Sequence, residues 1–169
     1  MTEARDSNAN QPRGRSSVER ASDREMVVTR TIRGPAHLVF QAWTQAELFQ
    51  RWWVPRSLGM TLLSCEMDVR VGGTYRLAFQ FDPEPLVFHG RYLEVVPDAR
   101  LVWTNEEVFG SGQVTTVTFE EQAGETQVVV RELYPSKDAL EAAIAAGSTS
   151  GDMQETFDQL EALLTTLSS

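Results

Sequence analysis

The stretch DMQETFDQLEALLTTL, residues 152–167, decides the fold. Met153, Phe157, Leu160, Leu164 and Leu167 recur at steps of four and three, which lines them up on one side of an α-helix. Glu155, Asp158 and Glu161 fall off that stripe, and the spacing predicts that they face water. At 1.5 Å per residue the helix is roughly 24 Å long, enough to cross a small domain. Its stripe needs an apolar partner surface, and the rest of the chain supplies one.

Upstream, Ser136 can cap a short alanine-rich helix ending near Gly147. Before it, strand patterns run over residues 60–66, 74–81, 86–96, 101–107, 113–121 and 125–134. In the second of these Tyr75, Leu77, Phe79 and Phe81 alternate with Arg76, Ala78 and Gln80, so the aromatic set shares one face. Gly72-Gly73, Asp82-Pro83-Glu84-Pro85, Pro97-Asp98 and Gln122-Ala-Gly124 are turn signals between strands. Links this short imply an antiparallel meander. Earlier still, residues 26–32 read as a first strand, stopped by Gly34-Pro35. Ala36, Val39, Phe40 and Trp43 then mark one helix face. Thr44 and Glu47 have capping-box spacing for a second short helix, with Leu48, Phe49, Trp52 and Trp53 apolar and Pro55 ending it. The expectation is an α+β fold: a curved seven-stranded antiparallel sheet wrapped around the long C-terminal helix, with two short helices after strand 1. One helix covers only part of such a sheet. The space left over is concave and mostly apolar, the usual form of a small-molecule site.

Net charge across the 169 residues is −9, which disfavours nucleic acid and anionic lipid as partners. Residues 1–25 hold five arginines, five acids, one valine and no aromatic residue. They are expected to form a disordered polar tail, with residues 26–169 as a single domain. After Lys137 come six acids and no Lys or Arg. That acidic end is a solvated helix face or a docking face for a basic partner. The single cysteine, Cys65, excludes an intramolecular disulfide and a multi-cysteine metal site, and suits a cytoplasmic protein. No N-terminal apolar run reads as a signal peptide, and no stretch approaches the about 18 apolar residues of a membrane span.

At several points the residues match a known family. The motifs are Gly34-Pro-Ala-His-Leu-Val-Phe-Gln-Ala-Trp43, Arg51-Trp-Trp-Val-Pro55, Cys65-Glu-Met-Asp-Val-Arg-Val-Gly-Gly-Thr-Tyr75, Gly90-Arg-Tyr-Leu-Glu-Val-Val-Pro97 and Arg100-Leu-Val-Trp103. With the order of elements, they resemble the helix-grip fold of the START and Bet v 1-like superfamily. Within it the chain resembles the group related to the C-terminal domain of the activator of Hsp90 ATPase, over roughly residues 27–167. The acidic-Met-Asp-x-Arg-x-Gly-Gly motif before an aromatic is the specific part. Two departures stand out: Val54 where the family commonly has glycine, and Asp152-Met153 where many members carry a tryptophan. The resemblance implies binding of apolar small molecules, or a stress or chaperone role, and no shared set of catalytic residues.

The candidate groove lining is Trp43, Phe49, Trp53, Tyr75, Phe79, Phe81, Trp103, Met153 and Phe157. His89 shares a strand face with Val87, Arg91, Leu93 and Val95. Turned inward, it would be a general base or a hydrogen-bonding group for a ligand. Glu132 shares a face with Val128 and Val130, where a buried carboxyl would suit a general acid; alternatively it sits at a solvated strand end. His37 reads as a surface histidine, and Asp68 with Arg70 as a turn pair. Two histidines and one cysteine far apart make no metal signature, and no phosphate loop, dinucleotide fingerprint or nucleophile elbow occurs. No metal or cofactor is therefore expected. Binding of an apolar or aromatic small molecule is the preferred reading. The alternatives are a co-chaperone-like interaction module and a small cyclase- or hydrolase-like enzyme using His89 and Glu132. A homodimer is the default association.

Overall fold

β-branched runs with two-residue alternation build the sheet, and helices cover one of its faces. The computed structural model describes residues 16–106, 112–145 and 153–167. In chain order the elements are β1 Ser17–Arg20, β2 Glu25–Arg33, α1 Ala36–Thr44, α2 Ala46–Trp52, a 3-10 turn Arg56–Leu58, β3 Leu62–Met67 and β4 Thr74–Phe79. Then come β5 Leu86–Val96, β6 Arg100–Asn105, β7 Gln113–Gln122, β8 Glu125–Leu133, α3 Lys137–Ala145 and α4 Met153–Leu167. The sheet order is β1-β2-β8-β7-β6-β5-β4-β3, antiparallel at every step.

The sheet therefore has eight strands rather than seven. The extra one, β1, lies in the segment expected to be a disordered tail. Its four side chains are all exposed, so a composition argument based on burial has nothing to detect. Backbone pairing holds it instead, in register from Ser17 opposite Thr29 to Arg20 opposite Met26. Arg20 adds an ion pair to Glu141 on α3 at 3.4 Å.

The helical segments differ from expectation at one cap. Thr44 ends α1 and donates its hydroxyl to the Phe40 carbonyl at 2.9 Å, so it forms no capping box. Gln45 is the N-cap of α2, and Glu47 pairs instead with Arg51 at 3.4 Å. Ser136 caps α3 as expected, accepting from the Ala139 N–H at 3.0 Å. The expected end of that helix near Gly147 lies outside the described residues.

Helix α1 packs on β7 and β8, α2 on β3, and α4 on β2. One core joins them: Val28 and Ile32, Val39 and Trp43, Val117 and Phe119, Phe157, Leu160 and Leu164. The outer face carries polar side chains such as Thr31, Arg33, Arg76, Arg91, Gln127 and Arg131. The buried stripe of α4 is wider than the sequence spacing suggests. It includes Thr156, Gln159 and Leu163, while Met153 and Leu167 are half-buried.

Of the three acids expected to face water, Asp158 does so at 56% exposure, Glu155 is half-buried, and Glu161 is only 17% exposed. Arg30 on β2 is 1% exposed, and its guanidinium lies 2.8 Å from Asp158 and 3.0 Å from Glu161. It also stacks over Phe157 at 5.9 Å. An inward arginine on a sheet needs such partners, because an unpaired charge in the core is costly. Among the described residues no helix is long and apolar enough to cross a membrane.

Candidate ligand-binding site

Three walls enclose a cavity of about 450 Å³ between the helices and strands β3–β6. The first wall is the sheet. The motif Glu66–Gly73 forms its rim, as a turn whose backbone bonds to Tyr92: the Gly72 N–H to the Tyr92 carbonyl and the Tyr92 N–H to the Gly73 carbonyl, both at 2.9 Å. A Cβ at Gly73 would collide with the Asp68 carbonyl, so only glycine closes this turn. Arg70 pairs with Asp68 at 2.9 Å on the exposed side, the turn pair expected from the sequence. The motif thus positions Tyr75 and Tyr92, and of its own side chains only Met67 lines the cavity among the described residues. Gly90, opposite Tyr75, leaves room for that ring to lie across β5. The Tyr75 hydroxyl then reaches the Thr104 carbonyl at 2.8 Å and Asn105 Oδ1 at 3.2 Å.

The second wall is aromatic. Trp43 from α1 has the rings of Phe49, Trp52, Trp53, Trp103 and Phe119 around it, with centroids 4.8–6.4 Å away. Edge-to-face and tilted contacts of this kind fix ring orientation. Trp52 donates its indole N–H to the Ala42 carbonyl at 2.9 Å. The Trp43 indole N–H is buried and has no acceptor among the described residues.

The third wall is the segment after α2, with Val54, Pro55, Leu58 and Met60, together with Met153 and Thr156 of α4. Gln159 fastens the two together. Its Nε2 donates to the Trp52 and Val54 carbonyls, both at 2.9 Å, and its Oε1 accepts from the Arg56 N–H at 2.9 Å. Glu155 adds an acceptor for the Ser57 N–H at 3.0 Å. Nothing in a single sequence marks Gln159 for this role. A glutamine one position off an apolar stripe reads as surface.

Polar groups gather on the sheet side. Tyr92, Trp103, Thr115 and Glu132 are successive cross-strand partners from β5 to β8, and all but Thr115 line the cavity. Asn105 and Gln113, paired on β6 and β7, also line it. Asn105 Nδ2 donates to the Thr115 hydroxyl at 2.9 Å, and the Tyr134 hydroxyl donates to Glu132 Oε1 at 3.5 Å. Burial, then the charge of Glu132, pushes the Tyr134 phenol well above its ordinary range. Burial does the same to Tyr92, helped by the charges of Cys65 and Asp68.

Of the residues singled out in the sequence, Trp43, Phe49, Trp53, Tyr75, Phe79, Trp103 and Met153 meet at the cavity, and Glu132 joins them. Phe157 does not: it is fully buried in the core beneath Arg30. Phe81 does not either. β4 ends at Phe79, and Phe81 is 58% exposed beyond it. His89 points to the solvent face opposite Arg76, while its neighbours Phe88 and Tyr92 line the cavity. His89 and Glu132 thus stand on opposite faces of the sheet and form no acid–base pair. His37 is exposed, as read from the sequence. The sequence reading missed Met67, Phe88, Tyr92, Asn105, Gln113 and Thr156. Strand parity with Tyr75 and Trp103 could have found Tyr92 and Asn105.

The acidic C-terminal face is largely engaged within the chain. Glu141 pairs with Arg20, Glu155 with Ser57, and Asp158 and Glu161 with Arg30. Among the described residues no group of three His, Cys, Asp or Glu side chains could hold a metal ion.

A sheet gripping a terminal helix, with an aromatic cavity between the two, defines a helix-grip protein. Residues 33–165 match the family model described as activator of Hsp90 ATPase homolog 1-like protein, and the chain belongs to that family. Solved structures share the fold. A protein from Nitrosomonas europaea is 21% identical, with a TM-score of 0.75 over 87% of this chain and 97% of its own. A protein from Mycobacterium smegmatis is 21% identical, with a TM-score of 0.75 over 90% and 99%. A Staphylococcus epidermidis protein solved by NMR is 27% identical, with a TM-score of 0.70 over 89% and 94%. No curated protein sequence matches the chain. The family is one of ligand-binding or co-chaperone-like domains.

Proposed function

We propose that this protein binds an apolar or aromatic small molecule in the cavity between β3–β6, α2 and the first turn of α4. One observation carries the reading: about 450 Å³ of space lined by eight aromatic rings, from Trp43, Phe49, Trp53, Tyr75, Phe79, Phe88, Tyr92 and Trp103. Pockets that hold small molecules usually measure roughly 300–1,000 Å³ and are apolar with a few polar groups. Binding rather than catalysis fits a lining in which, among the described residues, Glu132 is the sole carboxylate and no histidine, cysteine or serine appears.

Intrinsic fluorescence tests this directly, because Trp43, Trp53 and Trp103 line the space. Saturable quenching or a blue shift is expected with one chemical class from a panel of lipids, flavonoids, polyketides and bile acids. The Phe79→Trp variant, read by calorimetry because it adds an indole, should lose that binding by filling the cavity. A folded protein that answers to no compound would overturn the proposal.

A further inference from the structure

We infer that the occupant of this cavity carries a basic amine or ammonium group, recognised by the Glu132 carboxylate against the aromatic wall. The inference rests on the small-molecule reading above and narrows it to one chemical class.

Among the described residues twenty line the cavity, and none of these is Lys, Arg or His. The single ionisable carboxyl among them is Glu132. Its place is set by the β8 register, opposite Thr115 and in one row with Trp103 and Tyr92. The Tyr134 hydroxyl donates to it, so Glu132 acts there as an acceptor. A ligand carboxylate in this space would meet no cation and would share it with a like charge, which burial makes expensive. A ligand ammonium would meet an opposite charge. It would also meet ring faces, whose quadrupole attracts cations and repels anions. A neutral alcohol falls between the two. The chain's net charge of −9 draws cations toward the mouth as well, but salt screens that long-range field far more than a contact inside the cavity.

The test compares three probes with one ring and different head groups: naphthylethylamine, naphthylacetate and naphthylethanol, titrated calorimetrically at neutral pH. The amine should bind about tenfold tighter than the carboxylate, the order of one desolvated cation–π or ion contact. That preference should survive about 0.5 M sodium chloride, where the Debye length is shorter than the cavity. In Glu132→Gln it should fall to within about twofold. Gln113→Lys, which sets a cation in the same lining, should turn the preference toward naphthylacetate and serves if Glu132→Gln fails to fold. If naphthylethanol binds but the amine holds no advantage, the inference is overturned and the small-molecule reading stands. The same holds if the advantage vanishes in salt or persists in Glu132→Gln. If none of the three binds, the small-molecule reading itself fails and this inference fails with it.

Discussion

Over β2 the helix α4 packs dry, whereas over β4–β6 its first turn faces a cavity. In the dry half Phe157, Leu160 and Leu164 are buried, and Leu164 lies against Gly34 at the end of β2. Arg30 reaches from the sheet to Asp158 and Glu161 on the helix. In the open half Met153 and Thr156 look across a gap toward Tyr75, Phe88, Tyr92 and Trp103. The two halves use the same residue types. What differs is how far the chain closes over them: apolar area left unburied contributes little to folding and remains available to a ligand.

The widest separation between the halves should come from truncating one phenylalanine in each. Phe157→Ala opens a cavity in a closed core and should cost about 3–5 kcal/mol. Phe88→Ala enlarges a space that already exists beside a half-buried ring, and should cost less than about 2 kcal/mol. Urea unfolding of both variants checks this. Equal losses would show that the cavity half is packed as tightly as the other, and would erase the contrast.

Arg30→Ala comes next. It leaves Glu161, 17% exposed, facing the core without its main partner, while Asp158, 56% exposed, turns to water. Removing one member of a buried pair costs up to about 3–5 kcal/mol, and the exposure of Asp158 places this case near about 2–3 kcal/mol. A thermal or urea melt reads the loss. A variant as stable as the parent would mean that the helix is held by its apolar stripe alone.

How much of this was legible follows from periodicity. The stripe on α4 and the alternation in β4 are side-chain patterns, and they placed the helix, the sheet and most of the aromatic lining. Arg30 and Gln159 are single polar residues whose partners lie more than a hundred positions away, so no local pattern announces them. β1 is held by backbone bonds, which leave no hydrophobic signature. His89 is a problem of register. Pairing of β5 with β6 shifts between Tyr92 and Glu94. Parity counted back from Val95, which packs on the core, therefore gives the wrong face for His89. Phe81 fails differently: the alternation continues two residues past the point where β4 stops pairing.

The two neighbouring tryptophans sharpen the comparison on a smaller scale. Trp52→Phe removes a donor that satisfies the Ala42 carbonyl inside the core, whereas Trp43→Phe removes an N–H with no acceptor among the described residues. Ring loss is similar in both, so Trp52→Phe should be the worse by about 1 kcal/mol. Equal chemical-denaturation midpoints would mean that the Trp43 N–H finds a partner in solution.

The smallest effect concerns Cys65 on β3, half-buried beneath α2 with its sulfur 3.9 Å from the Ala46 carbonyl and 3.6 Å from Met67 Sδ. Burial pushes its thiol up from 9.0 to about 11. Below pH 9 the thiol keeps its proton folded or unfolded, and it adds no pH dependence. Between pH 9 and about 11 the unfolded chain releases the proton while the folded chain holds it, so stability falls as pH rises through that window. Cys65→Ala should lose less stability than the parent between those limits, with Tyr134 contributing equally to both and Tyr92 contributing slightly less in the variant, which lacks the Cys65 charge. A thiol reagent at mildly alkaline pH should likewise modify Cys65 more slowly than a cysteine in an unfolded peptide, because the reactive thiolate is scarce. Modification at the peptide's rate would mean that β3 and α2 part readily at Cys65, and that the open half of the molecule extends from the cavity to the edge of the sheet.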